Sequence, residues 1–352
     1  MPIRLLIIGT GGMANTHAEN FAKIPGVELV AGVDTRPAQL GEFRARHNIP
    51  HGFASVDEAL AWGQFDAVTN VTPDPVHYPT TMPMLAAAKH VLCEKPLATS
   101  HADAAAMADA AAKAGVVNMV NLSYRNVAAL QQAAKMVRDG AIGTVRHFEA
   151  SYLQSWLTQP AWGDWREQSH WLWRLSSAHG SKGVLGDVGI HILDFATFIA
   201  GQGVHDISCR LATFDKAPGG RVGEYVLDAN DSATMQVVLE NGALGTIGAT
   251  RFATGHLNDL RLRIYGDAGG LEVSFEAANS RLRACVGPDV LTATWTEVEA
   301  PMLPSIYERF IAAINGTGVA EPTFARGAAL QRMLDQAEAS AAQGGLALPV
   351  QG

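Results

Sequence analysis

Residues 4–24, RLLIIGTGGMANTHAENFAKI, set an apolar run against a glycine turn and then a helical pattern, a succession few folds accommodate. The run reads as a buried strand, and Gly9, Gly11 and Ala14 form G-x-G-x-x-A between it and the helix. Gly9 permits a tight turn, Gly11 lets a bulky anion approach the backbone, and the small Ala14 lets helix and strand pack closely. The helix N-terminus then turns its unbonded N–H groups toward phosphate. Asp34 ends the second apolar run, where the acceptor for a dinucleotide's ribose hydroxyl belongs. Gly9, Gly11, Gly12 and Met13 are therefore candidate pyrophosphate contacts, and Asp34, Thr35 and Arg36 candidate ribose and adenine contacts. Asp34 favours NAD, since a carboxylate repels a 2′-phosphate; Arg36 can stack on adenine or meet that phosphate, so NADP stays open.

The same alternation continues through the first third. VELVAGVD, DAVTNVT, HVLCEKP and VVNMVNLS read as strands, and PAQLGEFRARH, PTTMPMLAAAK and HADAAAMADAAAKAG as the helices between them. Near-continuously apolar strands separated by helices indicate a parallel sheet covered on both faces. Ser55 and Glu58 have capping-box spacing at the start of another short helix. After residue 123 the pattern changes: a helix over VAALQQAAKMVRDG precedes longer strand-like stretches with turn signals such as ENG and GDAGG. The expected fold class is α/β, an N-terminal doubly wound Rossmann domain over 1–122 and an α/β domain over 123–352 with a large, mostly antiparallel open sheet. An open sheet covered on one side needs a cover on the other, which predicts a homodimer or homotetramer formed through it.

Composition narrows the function classes. With 34 acidic against 26 basic residues and no dense Lys/Arg cluster, nucleic acid is not an expected partner. The N-terminal apolar run is only five residues long, too short for a secretory signal or a membrane span. Cys93, Cys209 and Cys285 have no metal or redox spacing, which suits the cytoplasm. There is no H-E-x-x-H, P-loop or G-x-S-x-G, and no metal is expected.

GVLGDVGIHILDFATFIAG, residues 183–201, carries three polar residues in an otherwise apolar helical pattern. Asp187 and His191 stand four apart on one helical face, with Asp194 three further on. Taken alone, the segment suits either a buried helix satisfied internally or an acid and an imidazole aimed at one place.

Four stretches together resemble the glucose-fructose oxidoreductase, inositol dehydrogenase and MocA family: IIGTGGMA with Asp34; NVTPDPVHYP; CEKPLA; and GDVGIHILD preceded by WLWR. The resemblance implies a Rossmann domain joined to an α/β domain, and NAD(P)-dependent oxidation or reduction of a sugar, cyclitol or related polyol carbon. It also implies a catalytic trio of Lys95, Asp187 and His191. His191 would take the hydroxyl proton, and Lys95 would hold the reacting oxygen. Asp187 would orient the ring or bind a neighbouring hydroxyl; Asp194 would orient or cap within its helix. Thr72, Pro73 and His77 match the family's cofactor loop, with helix capping as the other reading of His77. Glu94 flanks the lysine, and the resemblance makes both Glu94 and Lys95 candidate cofactor contacts; Asn121 and Arg125 are candidate nicotinamide or substrate contacts. The family often holds the Lys95–Pro96 bond cis.

Substrate signals are less specific. Trp156, Trp162, Trp165, Trp171 and Trp173 crowd into one segment, which suits either a carbohydrate-facing loop, with Trp162 as the candidate contact, or a core or subunit contact. Arg166 and Arg174 add positive charge, and the W-R context of Arg174 implies a cofactor contact. Two rival functions remain within the wider family: an NAD-dependent glycosidase using transient oxidation, and a nucleotide-binding sensor without turnover.

Overall fold

The computed structural model describes residues 1–350. It divides into two compact units, Met1–Ser123 with Pro304–Gln331 and Tyr124–Leu303 with Arg332–Gly352.

In the first unit, β1 (Ile3–Ile8), α1 (Gly12–Phe21), β2 (Val27–Val33), α2 (Pro37–His47), β3 (His51–Phe53), α3 (Val56–Trp62), β4 (Ala67–Asn70), α4 (His77–Ala86), β5 (His90–Cys93), α5 (His101–Ala114) and β6 (Asn118–Val120) alternate. The six strands pair in parallel in the order β3-β2-β1-β4-β5-β6, a doubly wound sheet. Leu5, Leu6 and Ile7 are fully buried, which is why β1 reads as a continuous apolar run rather than an alternating one. At α3 the Ser55 hydroxyl accepts the Glu58 N–H, but the Glu58 carboxylate reaches the N–H of Ala54, one residue before the cap. The sequence does not announce β3, whose three residues are too short to show a period.

The second unit contains α6 (Ala128–Arg138), β7 (Val145–Leu153), α7 (Ser169–Leu172), α8 (Ile190–Ala200), β8 (Val204–Ala212), a two-strand ribbon of β9 (Arg221–Val222) and β10 (Tyr225–Val226), β11 (Ser232–Leu239), β12 (Leu244–Thr250), β13 (Asp259–Gly266), β14 (Gly269–Glu276), β15 (Asn279–Val286), β16 (Thr296–Glu297) and β17 (Leu348–Pro349). Nine strands form one sheet, β16-β15-β14-β13-β7-β12-β11-β8-β17, antiparallel except where β12 runs parallel to β7. Strand residues alternate strictly: Ala233, Met235 and Val237 of β11 are buried, while Thr234 and Gln236 are exposed. Helices α6 and α8 pack side by side on the buried face.

Three expectations shift. The segment 183–201 is helical as far as Ala200, as expected, but not uniformly α: Leu185–Gly189 forms a π turn that runs directly into α8 at Ile190. Residues 293–299, ATWTEVE, the last of the stretches whose sequence has strand character, keep just the two residues of β16 as strand. Pro304–Gln331, read from sequence as part of the second domain, clusters with the first. The reason is α9 (Ile306–Ile314), which buries Ile306, Tyr307, Phe310 and Ile311 against Ile3, Leu5, Phe21, Leu92 and Met119. The closing helix α10 (Phe324–Ala342) contains the division between the units. Among the described residues, no helix is long and apolar enough to cross a membrane.

Candidate active site

The first unit builds a dinucleotide cradle from the predicted turn. Gly9 has φ +85°, and a Cβ there would stand 2.8 Å from the Val71 carbonyl oxygen, so only glycine fits. A Cβ on Gly11 or Gly12 would meet nothing within 4 Å, which leaves the N-terminus of α1 open to an anion. Met13 is exposed beside it. At the end of β2 the Asp34 carboxylate accepts the Thr10 N–H at 3.0 Å, the Thr10 hydroxyl at 2.7 Å and the Arg36 guanidinium at 3.0 and 3.1 Å. Burial pushes Asp34 up, but the hydrogen bonds from Arg36 and Thr10 outweigh it and hold its pKa at about 2. Thr35 and Arg36 are exposed next to it. These residues fit NAD: the turn admits its pyrophosphate, and an ionised carboxylate stands where the ribose needs an acceptor.

The loop after β4 and the segment after β5 complete this unit's polar set. Thr72 donates its N–H and hydroxyl to Asn70 Oδ1, at 3.2 and 2.7 Å, and Pro73 is exposed. His77 differs from expectation: it is fully buried, with ring nitrogens 2.7 Å from the Pro96 carbonyl and 2.8 Å from that of Thr72. It joins two loops and presents no nitrogen to a cofactor. The Lys95–Pro96 bond is cis, and the Lys95 N–H donates to Glu94 Oε2 at 3.2 Å. Burial pushes Glu94 up, but hydrogen bonds from His17 and Asn121 and the charges of His17 and Lys95 hold it at about 2. Asn121 is likewise committed, its amide 2.6 Å from Glu94 Oε1.

In the second unit the π turn places Asp187 and the first turn of α8 places His191. Asp187 Oδ2 accepts from Arg251 Nη2 at 3.0 Å, and Arg174 Nε lies 3.6 Å away. Arg251 follows β12 and is wholly buried; it also donates to the Arg174 carbonyl at 3.0 Å. His191, 7% exposed, has the Tyr124 ring edge-on at 4.9 Å between centroids and the Tyr152 ring at 6.3 Å. The two phenol oxygens are 2.5 Å apart, and Tyr152 donates to Asn258 Oδ1 at 2.8 Å. Burial pushes both phenols up, Tyr124 to about 12, and the Asp187 charge adds to it, so both stay neutral.

Arg125 is placed otherwise than expected. Its guanidinium is buried, bidentate on Asp194 at 2.6 and 2.8 Å, and lies over the Phe198 ring at 3.5 Å. This pair ties the start of the unit to α8 and leaves Arg125 no fork to offer a substrate. Arg174 belongs to the Asp187 cluster and lies 4.6 Å from the Trp173 ring. The tryptophans divide between the two readings: Trp156 and Trp165 are core with Leu157, Leu172, Leu175 and Leu227, while Trp162 is half-buried and stacked on Trp171 at 6.1 Å. Sequence reasoning missed Arg251, Tyr124, Tyr152 and His17. The one available signal was for His17, three residues after Ala14 and four before Phe21 on the sheet-facing side of α1.

The fold and these two polar sets define an NAD-binding oxidoreductase, and the comparisons agree. Residues 3–122 match the family described as "Oxidoreductase family, NAD-binding Rossmann fold", and residues 130–272 match the "GFO/IDH/MocA C-terminal domain". The chain belongs to the Gfo/Idh/MocA family of oxidoreductases. It is 26% identical over 292 residues to a levoglucosan dehydrogenase of Pseudarthrobacter phenanthrenivorans, covering 77% of this chain and 73% of that one. Over the full length of both chains it superposes on an oxidoreductase domain protein from Kribbella flavida with a TM-score of 0.88 at 31% identity. It superposes equally completely on a levoglucosan dehydrogenase in complex with NADH, with a TM-score of 0.86 at 24% identity, a likeness of fold.

Proposed function

We propose that this protein transfers hydride between NAD and a carbinol or carbonyl carbon of a sugar, cyclitol or sugar derivative, with NADP left open by the exposed Arg36. The observation that carries the reading is that the second unit sets a buried imidazole, His191, four residues after a carboxylate, Asp187, that Arg251 anchors, in a chain with an NAD-binding domain. Gly9, Gly11, Gly12 and Met13 would hold the pyrophosphate, Asp34 and Thr35 the ribose, and Thr72 and Pro73 the nicotinamide side. Bound NAD supplies a hydride acceptor. His191 takes the proton of the reacting hydroxyl in the oxidising direction and returns it in the reducing one. Lys95 holds the same oxygen and stabilises its developing negative charge. Asp187, fixed by two guanidiniums, orients a neighbouring substrate hydroxyl, and Trp162 offers an aromatic face to the sugar ring. Three buried thiols without disulfides support a cytoplasmic enzyme. The one-sided sheet supports a homo-oligomer.

The test is cofactor reduction at 340 nm with NAD or NADP against levoglucosan, other anhydrosugars, inositols, aldoses, sugar acids and nitrophenyl glycosides, repeated with His191→Ala. Reduction that the variant loses by at least about 100-fold is the expected result, in line with the contribution of a general base. Glycoside hydrolysis with NAD retained would make the protein a glycosidase, and tight NAD binding without any turnover would make it a sensor.

A further inference from the structure

Lys95 lies in a segment whose two neighbours are each gripped by a buried histidine. On one side, His17 of α1 sets Nε2 2.8 Å from Glu94 Oε1 and Nδ1 2.8 Å from the Thr69 hydroxyl. On the other, His77 sets Nδ1 2.7 Å from the Pro96 carbonyl and Nε2 2.8 Å from the Thr72 carbonyl. A carbonyl oxygen accepts and never donates, so a ring facing carbonyls at both nitrogens satisfies both only with a proton on each. No solvent reaches the His77 ring to support that charge. The groups that face it are the Cys93 sulfur and the Asp74 carboxylate.

We propose that His17 and His77 are positioning residues that clamp the Glu94–Lys95–Pro96 segment from its two flanks, with His77 a protonated imidazolium tying Pro96 to the Thr72 loop. The inference rests on the reading that Lys95 holds the reacting oxygen. A lysine ammonium rides on four rotatable bonds, so its position is only as well fixed as the backbone it leaves. A displacement of about 1 Å at a reacting group costs about 100-fold in rate. Neutral His77 would hold one carbonyl and turn a lone pair toward the other, releasing either Pro96 or Thr72.

Burial by itself pushes His77 down; Cys93, Asp74 and the Pro96 carbonyl outweigh it and hold its pKa at about 10. A folded pKa raised above the unfolded value of about 6.5 contributes stability fully present below that value. The contribution falls as pH rises and is gone beyond about 10.

The experiment combines a spectrum with kinetics on the full chain. In ¹⁵N-histidine spectra at about pH 8.5, above the ordinary histidine pKa, one ring should keep both nitrogens protonated, and its signals should vanish in His77→Gln. His77→Leu should lower kcat by about 10- to 100-fold and raise KM for NAD. His77→Gln, whose amide can still donate, should recover part of both. His17→Gln should lower kcat while the Kd of NAD stays within about twofold, a split that a general loss of folding would not produce. The absence of a doubly protonated ring in the wild-type protein overturns the charged brace, whatever the variants do. Wild-type kcat in His77→Leu and His17→Gln, beside a Lys95→Ala that loses turnover, overturns the clamp. A Lys95→Ala that keeps its turnover removes the reading of Lys95 instead, and the spectrum alone then decides the state of His77.

Discussion

Arg251 anchors the Asp187 carboxylate of the second unit, and nothing in its local sequence, GATRF, marks it as special. Its guanidinium is buried, with Asp187 at one nitrogen, the Arg174 carbonyl at another and the Trp156 ring 5.0 Å away. Burial pulls its pKa down and the Asp187 charge opposes this, so the guanidinium remains a cation that holds a carboxylate in one orientation. Replacing Arg251 by methionine keeps the packing on Trp156 and removes the charge and both hydrogen bonds. The expected outcome is a fall in kcat/KM of about 10- to 100-fold, with the Kd of NAD unchanged because every cradle residue belongs to the other unit. Lysine at the same position should not rescue, since an ammonium cannot reproduce a planar fork. Steady-state kinetics beside a binding titration checks both, and wild-type kcat/KM in Arg251→Met would show that Asp187 needs no anchor.

At the scale of elements, the parts that sequence reveals are those governed by local rules. β1, the Gly9 turn and α1 were legible because a strand buried on both faces must be apolar throughout, and because the turn's backbone excludes other residues. The second sheet was legible from its two-residue alternation, as in SATMQVV. What local rules do not govern stayed hidden. The π turn at Leu185–Gly189 depends on how 183–201 packs, and its residues carry the pattern of an ordinary buried helix. Helix α9 has a complete Ser305–Glu308 capping box, yet its packing against β1 is a contact some three hundred residues away in sequence. His77 was visible as a motif residue, but not the carbonyls that decide its role. The turn yields a prediction that separates folding from binding. Gly9→Ala sets a methyl 2.8 Å from the Val71 carbonyl oxygen at φ +85°, so it should lower the melting temperature as well as abolish NAD binding. Gly12→Ala meets nothing within 4 Å and should melt like the wild type while binding NAD more weakly. Thermal melts with and without NAD distinguish them; equal melting of the two variants would mean that the close approach at Gly9 is relieved by movement of the Val71 loop.

For the whole molecule, the question is what covers the solvent side of the nine-stranded sheet. That face is not apolar. Across five strands, Glu149, Arg263, Glu272, Arg283 and Glu297 stand in cross-strand register, alternating in sign. Successive pairs lie 3.7, 3.3, 3.0 and 3.8 Å apart. Each such surface pair contributes only about 0–1 kcal/mol, so the row matters less for stability than for leaving this face, with three carboxylates against two guanidiniums, close to charge balance. Toward β11 the same register continues through the uncharged Thr246 and Gln236. A second copy related by a two-fold axis could lay its own row against this one with opposite signs meeting, the self-complementarity a closed dimer requires. Glu272→Arg tests this, because it sets three guanidiniums side by side in the middle of the row while altering no residue of the buried face. The wild-type protein should run in size exclusion with light scattering at a multiple of the single-chain mass, and Glu272→Arg should run as a single chain with an unchanged far-UV spectrum. A wild-type single chain, or a variant that keeps its multiple, would mean that this face is open to solvent and that its alternating charges serve solubility alone.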